Sequence, residues 1–360
     1  MNLNLTEQQA SWREKAATFA AEMLRPHWES FEAEPRLLRD AAARARSAGV
    51  FDACLPEEAA GHNLDLVTAA LIVEELASGE GGAGVLMANR YACHAAARLS
   101  PNSDFRRKVT RALAQAESCT SPVLLWPEED EEGAPVERAN GLRRQLCGSQ
   151  VVSLAQGDTN AFVGYSSRGG VDGSKRIGFF VSTEAGGVQL QPVKNFGLRS
   201  LSFHQLSFVK EVNDADAVFE FSSAEEYDGF RSQLSAERNV LMAAVVLGIA
   251  GAAFDYALKY SRERMTFGKP INQHQAVALK LADMAIGIES ARLMLWEAAH
   301  LTQESVDLSR SRDAWAYARE VAIEVAVNAV QTLGGHGYLK FHPVEKWMRD
   351  IEFVSLLHAG

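Results

Sequence analysis

Arg264-Met265-Thr266-Phe267-Gly268, with Gln275 beyond it, and Gln331-Thr332-Leu333-Gly334-Gly335-His336-Gly337 are the two stretches on which the fold turns. Each punctuates a long helical pattern. The first lies between runs predicted as helices over 236–264 and 271–300, and the second closes a run over 309–333, where Gly334-Gly335 stops the helix as a C-cap does. Taken singly, an arginine at a helix C-terminus is most often a solvated charge favoured by the helix dipole. A Gly pair is most often a plain stop. The same residues also suit an anion, because a guanidinium binds phosphate oxygens in a fork and glycine lets backbone amides approach a diphosphate closely.

Working outward, 224–233 forms a further helical run, opened by Ser223 and Glu226 at capping-box spacing. A C-terminal four-helix bundle over 223–360 is the simplest account. Residues 117–222 differ: Val123-Leu-Leu125, Val151-Val152, Ala161–Gly164, Ile177–Val181, Gly187–Pro192 and His204–Val209 are short apolar or alternating runs between Gly, Ser and Asp turns. That pattern predicts strands, gathered in a central β-barrel domain. Residues 1–116 return to helical spacing. Thr6 with Gln9 caps a run through Trp12, Ala16, Phe19 and Met23 that stops before Pro26, and runs over 36–48, 64–77, 83–99 and 103–116 follow. The expected class is α+β: an all-α N-terminal domain, a β-barrel and a helical bundle.

Composition narrows the function. Of the 360 residues, 47% are hydrophobic and 23% charged, which suits a globular chain with a substantial core. The net charge of -10 argues against nucleic acid as a main partner, since such proteins carry a basic footprint. Cys54, Cys93, Cys119 and Cys147 have neither CxxC nor metal spacing, so reduced thiols in a cytoplasmic protein and no metal site are expected. Met1–Leu5 lacks a signal-peptide pattern. The apolar stretch 239–254 is shorter than the roughly 20 residues that span a bilayer and predicts a buried helix, so no membrane partner is expected. Ser78–Gly84 contains a literal GxGxxG, but a helical pattern precedes it where a dinucleotide fold needs a strand.

Together the motifs resemble the C-terminal domain of the flavin-dependent acyl-CoA dehydrogenases, with signatures of the form R-x-x-FG followed by Gln, Q-x-x-GG-x-G, and the Arg349-Asp350 pair. The resemblance is specific from Tyr260 to Asp350 and looser elsewhere. It implies that Arg264, Thr266, Phe267 and Gln275, with Gln331, Gly334 and Gly335, serve an FAD held mainly by the neighbouring subunit. It also implies an acyl-CoA substrate and electron-transferring flavoprotein as acceptor.

Two features depart from that family. Its members hold their own FAD with a T-E-P-x-A-G-S-D type loop and a W-I-T/S strand. Here Thr120–Pro127 leads into the five carboxylates Glu128–Glu132, and Ser149–Leu154 lacks the Trp and Thr. Like charge repels an anionic diphosphate. The catalytic carboxylate is missing too. Abstraction of the thioester α proton needs a base beside the substrate, yet His358 stands in the usual Glu position, followed by two residues and none of the flanking Gly-Thr. Glu237 lies one residue from the alternative Glu position, which Arg238 occupies, and one residue in a helix is a rotation of about 100°.

No catalytic residue is therefore expected in this chain, with Glu237 and His358 as the candidates to test. The pattern predicts the partner subunit of a heteromeric α2β2 acyl-CoA dehydrogenase, completing the FAD site of a sister chain that supplies the base. The family includes such bacterial enzymes, several acting on CoA thioesters of steroid side chains. Two alternatives stand beside it: an autonomous homotetramer using Glu237 or His358, and a flavin-free scaffold on the same fold.

Overall fold

The computed structural model describes residues 4–115, 122–125, 136–140, 143–154, 159–169, 175–183, 186–214, 216–304 and 308–358. The flavin-loop segment at 120–132 thus lies largely outside the described residues. The N-terminal domain comprises α1 (Glu7–Phe19), α2 (Trp28–Ala33), α3 (Arg36–Ser47), α4 (Leu66–Gly79), α5 (Gly81–Leu99) and α6 (Ser103–Gln115). Thr6 and Gln9 cap α1 reciprocally, each side chain accepting the other's backbone N–H. Glu80 alone, in extended conformation, separates α4 from α5, so the GxGxxG stretch is a corner between two helices.

The middle domain contains β1 (Val123–Leu124), β2 (Val136–Asn140), β3 (Arg143–Leu154), β4 (Ala161–Gly169), β5 (Lys175–Ser182), β6 (Val188–Val193), β7 (Ser202–Glu211) and β8 (Ala217–Glu220). They form two four-stranded sheets, ordered β1-β4-β5-β8 and β2-β3-β7-β6. Leu146, Val152, Leu206 and Phe208 from one sheet share a core with Phe162, Ile177 and Phe179 from the other. The expected barrel is thus a pair of sheets around one apolar interior. β2 and β8 gave no sequence signal, because Val-Glu-Arg-Ala-Asn is mostly polar and Ala-Val-Phe-Glu is short.

The C-terminal domain holds α7 (Ala224–Glu263), a hairpin of β9 (Met265–Thr266) and β10 (Lys269–Pro270), then α8 (Gln275–Glu304), α9 (Leu308–Leu333) and α10 (Val344–Leu357). Among the described residues the bundle has four helices, but not the four that periodicity predicted. The runs at 224–233 and 236–264 are one helix of 40 residues. Nothing at Leu234-Ser235-Ala236 breaks it, and both apolar residues there are fully buried. The fourth helix is α10, which starts after Pro343 and buries Val344, Trp347, Ile351 and Val354 at helical spacing. The apolar window of α7 lies inside the fold, 78% buried. At Gly248 this helix meets α4 so closely that a Cβ would stand 2.1 Å from the Glu74 carbonyl oxygen.

One buried ionic cluster ties the three domains together. Lys346 on α10 donates to Asp350 Oδ2 at 2.6 Å and to Glu80 Oε1 at 3.1 Å. All three side chains are inaccessible to solvent. Ser200 Oγ also donates to Glu80, at 2.7 Å, and Asp350 Oδ1 accepts from the Leu198 backbone at 2.6 Å. Burial alone would lower the Lys346 pKa, but the Asp350 and Glu80 carboxylates outweigh it and hold the ammonium above the ordinary lysine range. Arg349 reinforces the same junction through Glu32, Glu345 and the Phe196 carbonyl. The Arg349-Asp350 pair is therefore an interdomain tie.

Candidate functional site

The long helices of the C-terminal domain deliver the sequence-predicted residues to one end of the bundle. α7 ends at Glu263, and Arg264 leads into the β9–β10 hairpin. The hairpin loop is Phe267-Gly268, with φ of 49° and 79°, the positive pair that a two-residue turn needs to match strand twist. Glycine adopts this freely; phenylalanine does so under strain. Phe267 is nevertheless 96% exposed, and among the described residues its ring meets that of His274 alone, edge-on at 6.2 Å. Thr266 Oγ1 and His274 Nε2, 3.1 Å apart, brace the turn from behind.

Gln275 opens α8, and Gln331, Gly334 and Gly335 close α9. A hydrogen bond of 2.8 Å from Lys280 Nζ to Asn328 Oδ1 places the first turns of α8 beside the last turns of α9. Gly334 takes φ 59°, and a Cβ at either Gly334 or Gly335 would meet nothing within 4 Å, so this backbone faces open space. Gly337 is different, since a Cβ there would lie 2.4 Å from the Val330 carbonyl oxygen. Among the described residues, the Arg264, Gln275 and Gln331 side chains are exposed and make no hydrogen bond or ion pair. A guanidinium, two carboxamides, an outward aromatic ring and open glycine backbone are thus free for an external ligand. That donor set fits the diphosphate and aromatic parts of a flavin dinucleotide.

The two candidate bases lie elsewhere and are occupied. Glu237 is 7% exposed, ion-paired to Arg98 of α5, and accepts from Gln233 Nε2 at 3.0 Å. It borders a cleft of about 260 Å³ shared with Tyr91, His94 and Gln303. His358 is 4% exposed, its Nε2 lies 2.7 Å from Asn239 Oδ1, and its ring packs 4.8 Å from that of Trp315. Burial, helped by Arg238 and Arg319, pushes its pKa well below the usual histidine value. Sequence reading gave no hint of Arg98 as the partner of Glu237, nor of Tyr260, whose hydroxyl lies 2.8 Å from Nδ1 of His336 within the glycine loop. Such pairings across about 80 to 140 residues leave no local pattern.

A helical N-terminal domain, a middle β-sheet domain and a C-terminal helical domain make up the acyl-CoA dehydrogenase fold. Two family descriptions match: "Acyl-CoA dehydrogenase, N-terminal domain" over residues 6–117 and "Acyl-CoA dehydrogenase, C-terminal domain" over 228–358. The short-chain-specific acyl-CoA dehydrogenase of Clostridium acetobutylicum is 28% identical, with 99% of this chain and 95% of that protein covered. Among solved structures, one described as the electron transferring flavoprotein of Acidaminococcus fermentans aligns with TM-score 0.87 at 27% identity, covering 99% of this chain and 96% of that one. Butyryl-CoA dehydrogenase from Megasphaera elsdenii aligns with TM-score 0.87 at 23% identity over the same shares. The chain belongs to the acyl-CoA dehydrogenase family, whose members are FAD-dependent.

Phe267→Asn tests what the strained turn is for. Asparagine tolerates left-handed backbone better, so the variant gains about 1 kcal/mol or less in thermal or urea unfolding, while losing the aromatic contact. Lower stability would show that the edge-on contact with His274 holds the turn.

Proposed function

We propose that this chain is the partner subunit of a heteromeric FAD-dependent acyl-CoA dehydrogenase, completing the FAD site of a sister chain that carries the catalytic base. The observation that carries this is the outward, uncommitted set Arg264, Phe267, Gln275, Gln331 and Gly334-Gly335, alongside candidate bases that are already bonded. Bound FAD supplies the hydride acceptor for α,β-dehydrogenation of a CoA thioester. Arg264 binds the diphosphate and orients the cofactor, while Thr266 and the positive-φ turn hold Phe267 against it. Electron-transferring flavoprotein is the proposed acceptor. A bulky acyl group such as a steroid side chain is the proposed substrate class, and the isolated chain is proposed to be inactive.

Flavin content tests this directly. Purified alone, the chain carries little FAD; co-expressed with an acyl-CoA dehydrogenase-like sister that has an intact flavin loop and Glu, it yields a stoichiometric flavoprotein. A flavin-saturated homomer overturns the proposal and favours an autonomous dehydrogenase.

The bases give a second test. Glu237→Gln and His358→Ala should each leave turnover of the assembled enzyme within a few-fold of wild type, since removing a true general base costs on the order of 10² to 10⁴. A loss of several hundred-fold for Glu237→Gln at unchanged FAD content would place the chemistry in this chain.

A further inference from the structure

His336, in the middle of the glycine loop, and His342, at the end of the following turn, stack with ring centroids 5.5 Å apart and planes 16° from parallel. Each is held by a tyrosine one turn from the other on α7. Tyr260 Oη lies 2.8 Å from His336 Nδ1, and Tyr256 Oη lies 2.7 Å from His342 Nδ1. A hydroxyl partner has a property that a carbonyl or carboxylate lacks: it donates to a neutral imidazole nitrogen or accepts from a protonated one. The rings keep their places in either charge state.

We propose that His336 and His342 form a proton-accepting pair that takes up one proton from solvent when a diphosphate seats on the Gly334–Gly335 loop. This rests on the reading of that loop given above. Two imidazolium charges at 5.5 Å repel, so the pair takes its two protons in separate steps. An arriving anion favours that first step, and by linkage the first proton favours the anion. The loop gains a positive charge without rebuilding.

The surroundings leave the pair free to respond. Burial, and after it the charge on His336, lower the His342 pKa. From α7 the pair is faced by Tyr256 and Tyr260, and by Glu263, whose charge acts on Tyr256. From α10 the packed group is the Trp347 ring, 6.0 Å from that of Tyr256. From α9 it is the Val330 carbonyl behind Gly337, and from the pair's own segment Phe341 and the exposed Lys340. Among these, no carboxylate is paired with either imidazole.

The experiment is a histidine NMR titration of the isolated chain with and without inorganic pyrophosphate, with exposed His27 and His300 as internal references. The expected result is two separated protonation steps for the pair, the first moved to higher pH by pyrophosphate while the references hold still. His336→Gln keeps a hydrogen-bonding partner for Tyr260 and should return His342 to one step with little pyrophosphate response. Midpoints unmoved by pyrophosphate, or moved equally in the reference histidines, overturn the proposal. Because no sister chain or FAD is involved, this outcome is separate from the flavin-content test of the heteromer.

Discussion

Lys346→Met destabilises the protein by about 3 to 5 kcal/mol, the cost of breaking a buried ion pair from one side. Methionine fills a similar volume, so the loss is electrostatic. It leaves Glu80 and Asp350 buried with no countercharge, at the junction where α5, α10 and the Leu198–Ser200 turn meet. The pH dependence follows from the sign of the Glu80 shift. Burial raises its pKa in the folded state, ahead of the lowering effect of Lys346. A raised carboxyl binds protons more readily folded than unfolded, so the variant's deficit is largest above that folded pKa and shrinks as pH falls through it. Urea unfolding of wild type and variant at several pH values measures both effects. A deficit below 1 kcal/mol at neutral pH would mean that water reaches the cluster.

Arg264→Ala weakens FAD retention by the assembled heteromer by about 1.5 to 3 kcal/mol, roughly ten- to a hundred-and-fifty-fold in affinity. Gln331→Ala acts in the same direction with a smaller effect, because its hydrogen bonds carry no charge. The Arg264 side chain makes no hydrogen bond or ion pair among the described residues, and its backbone bonds survive the substitution, so the unfolding midpoint of the isolated chain should not move. That separates a binding role from a folding one. Equal flavin content in wild type and both variants would reduce these residues to helix ends.

Much of the architecture was legible because it is local. Helical periodicity placed α1 and α3 to α6, and alternation placed the strands that alternate strongly. The errors came where locality ends. Leu234-Ser235-Ala236 looked like a boundary because the residues before it pack on the β domain with Tyr227 and Phe230 while those after enter the main core, so one helix changes its burial partners without changing its backbone. α10 left a weak pattern because Val344, Trp347, Ile351 and Val354 are interleaved with Glu345, Lys346, Arg349 and Asp350, charges that only the folded chain buries or pairs. At the candidate site the motifs gave the residue types, but not that Phe267 stands in a left-handed turn at full exposure. A φ angle is written in no single residue.

The unbroken course of α7 makes it a ruler. At 1.5 Å per residue its 40 residues extend about 60 Å, from the β domain at one end to the Arg264 hairpin at the other. At Gly248 the backbone of α4 touches the helix with no side chain between, so any Cβ there would set the two helices apart. One element without a joint fixes the distance between the β-sheet domain and the hairpin.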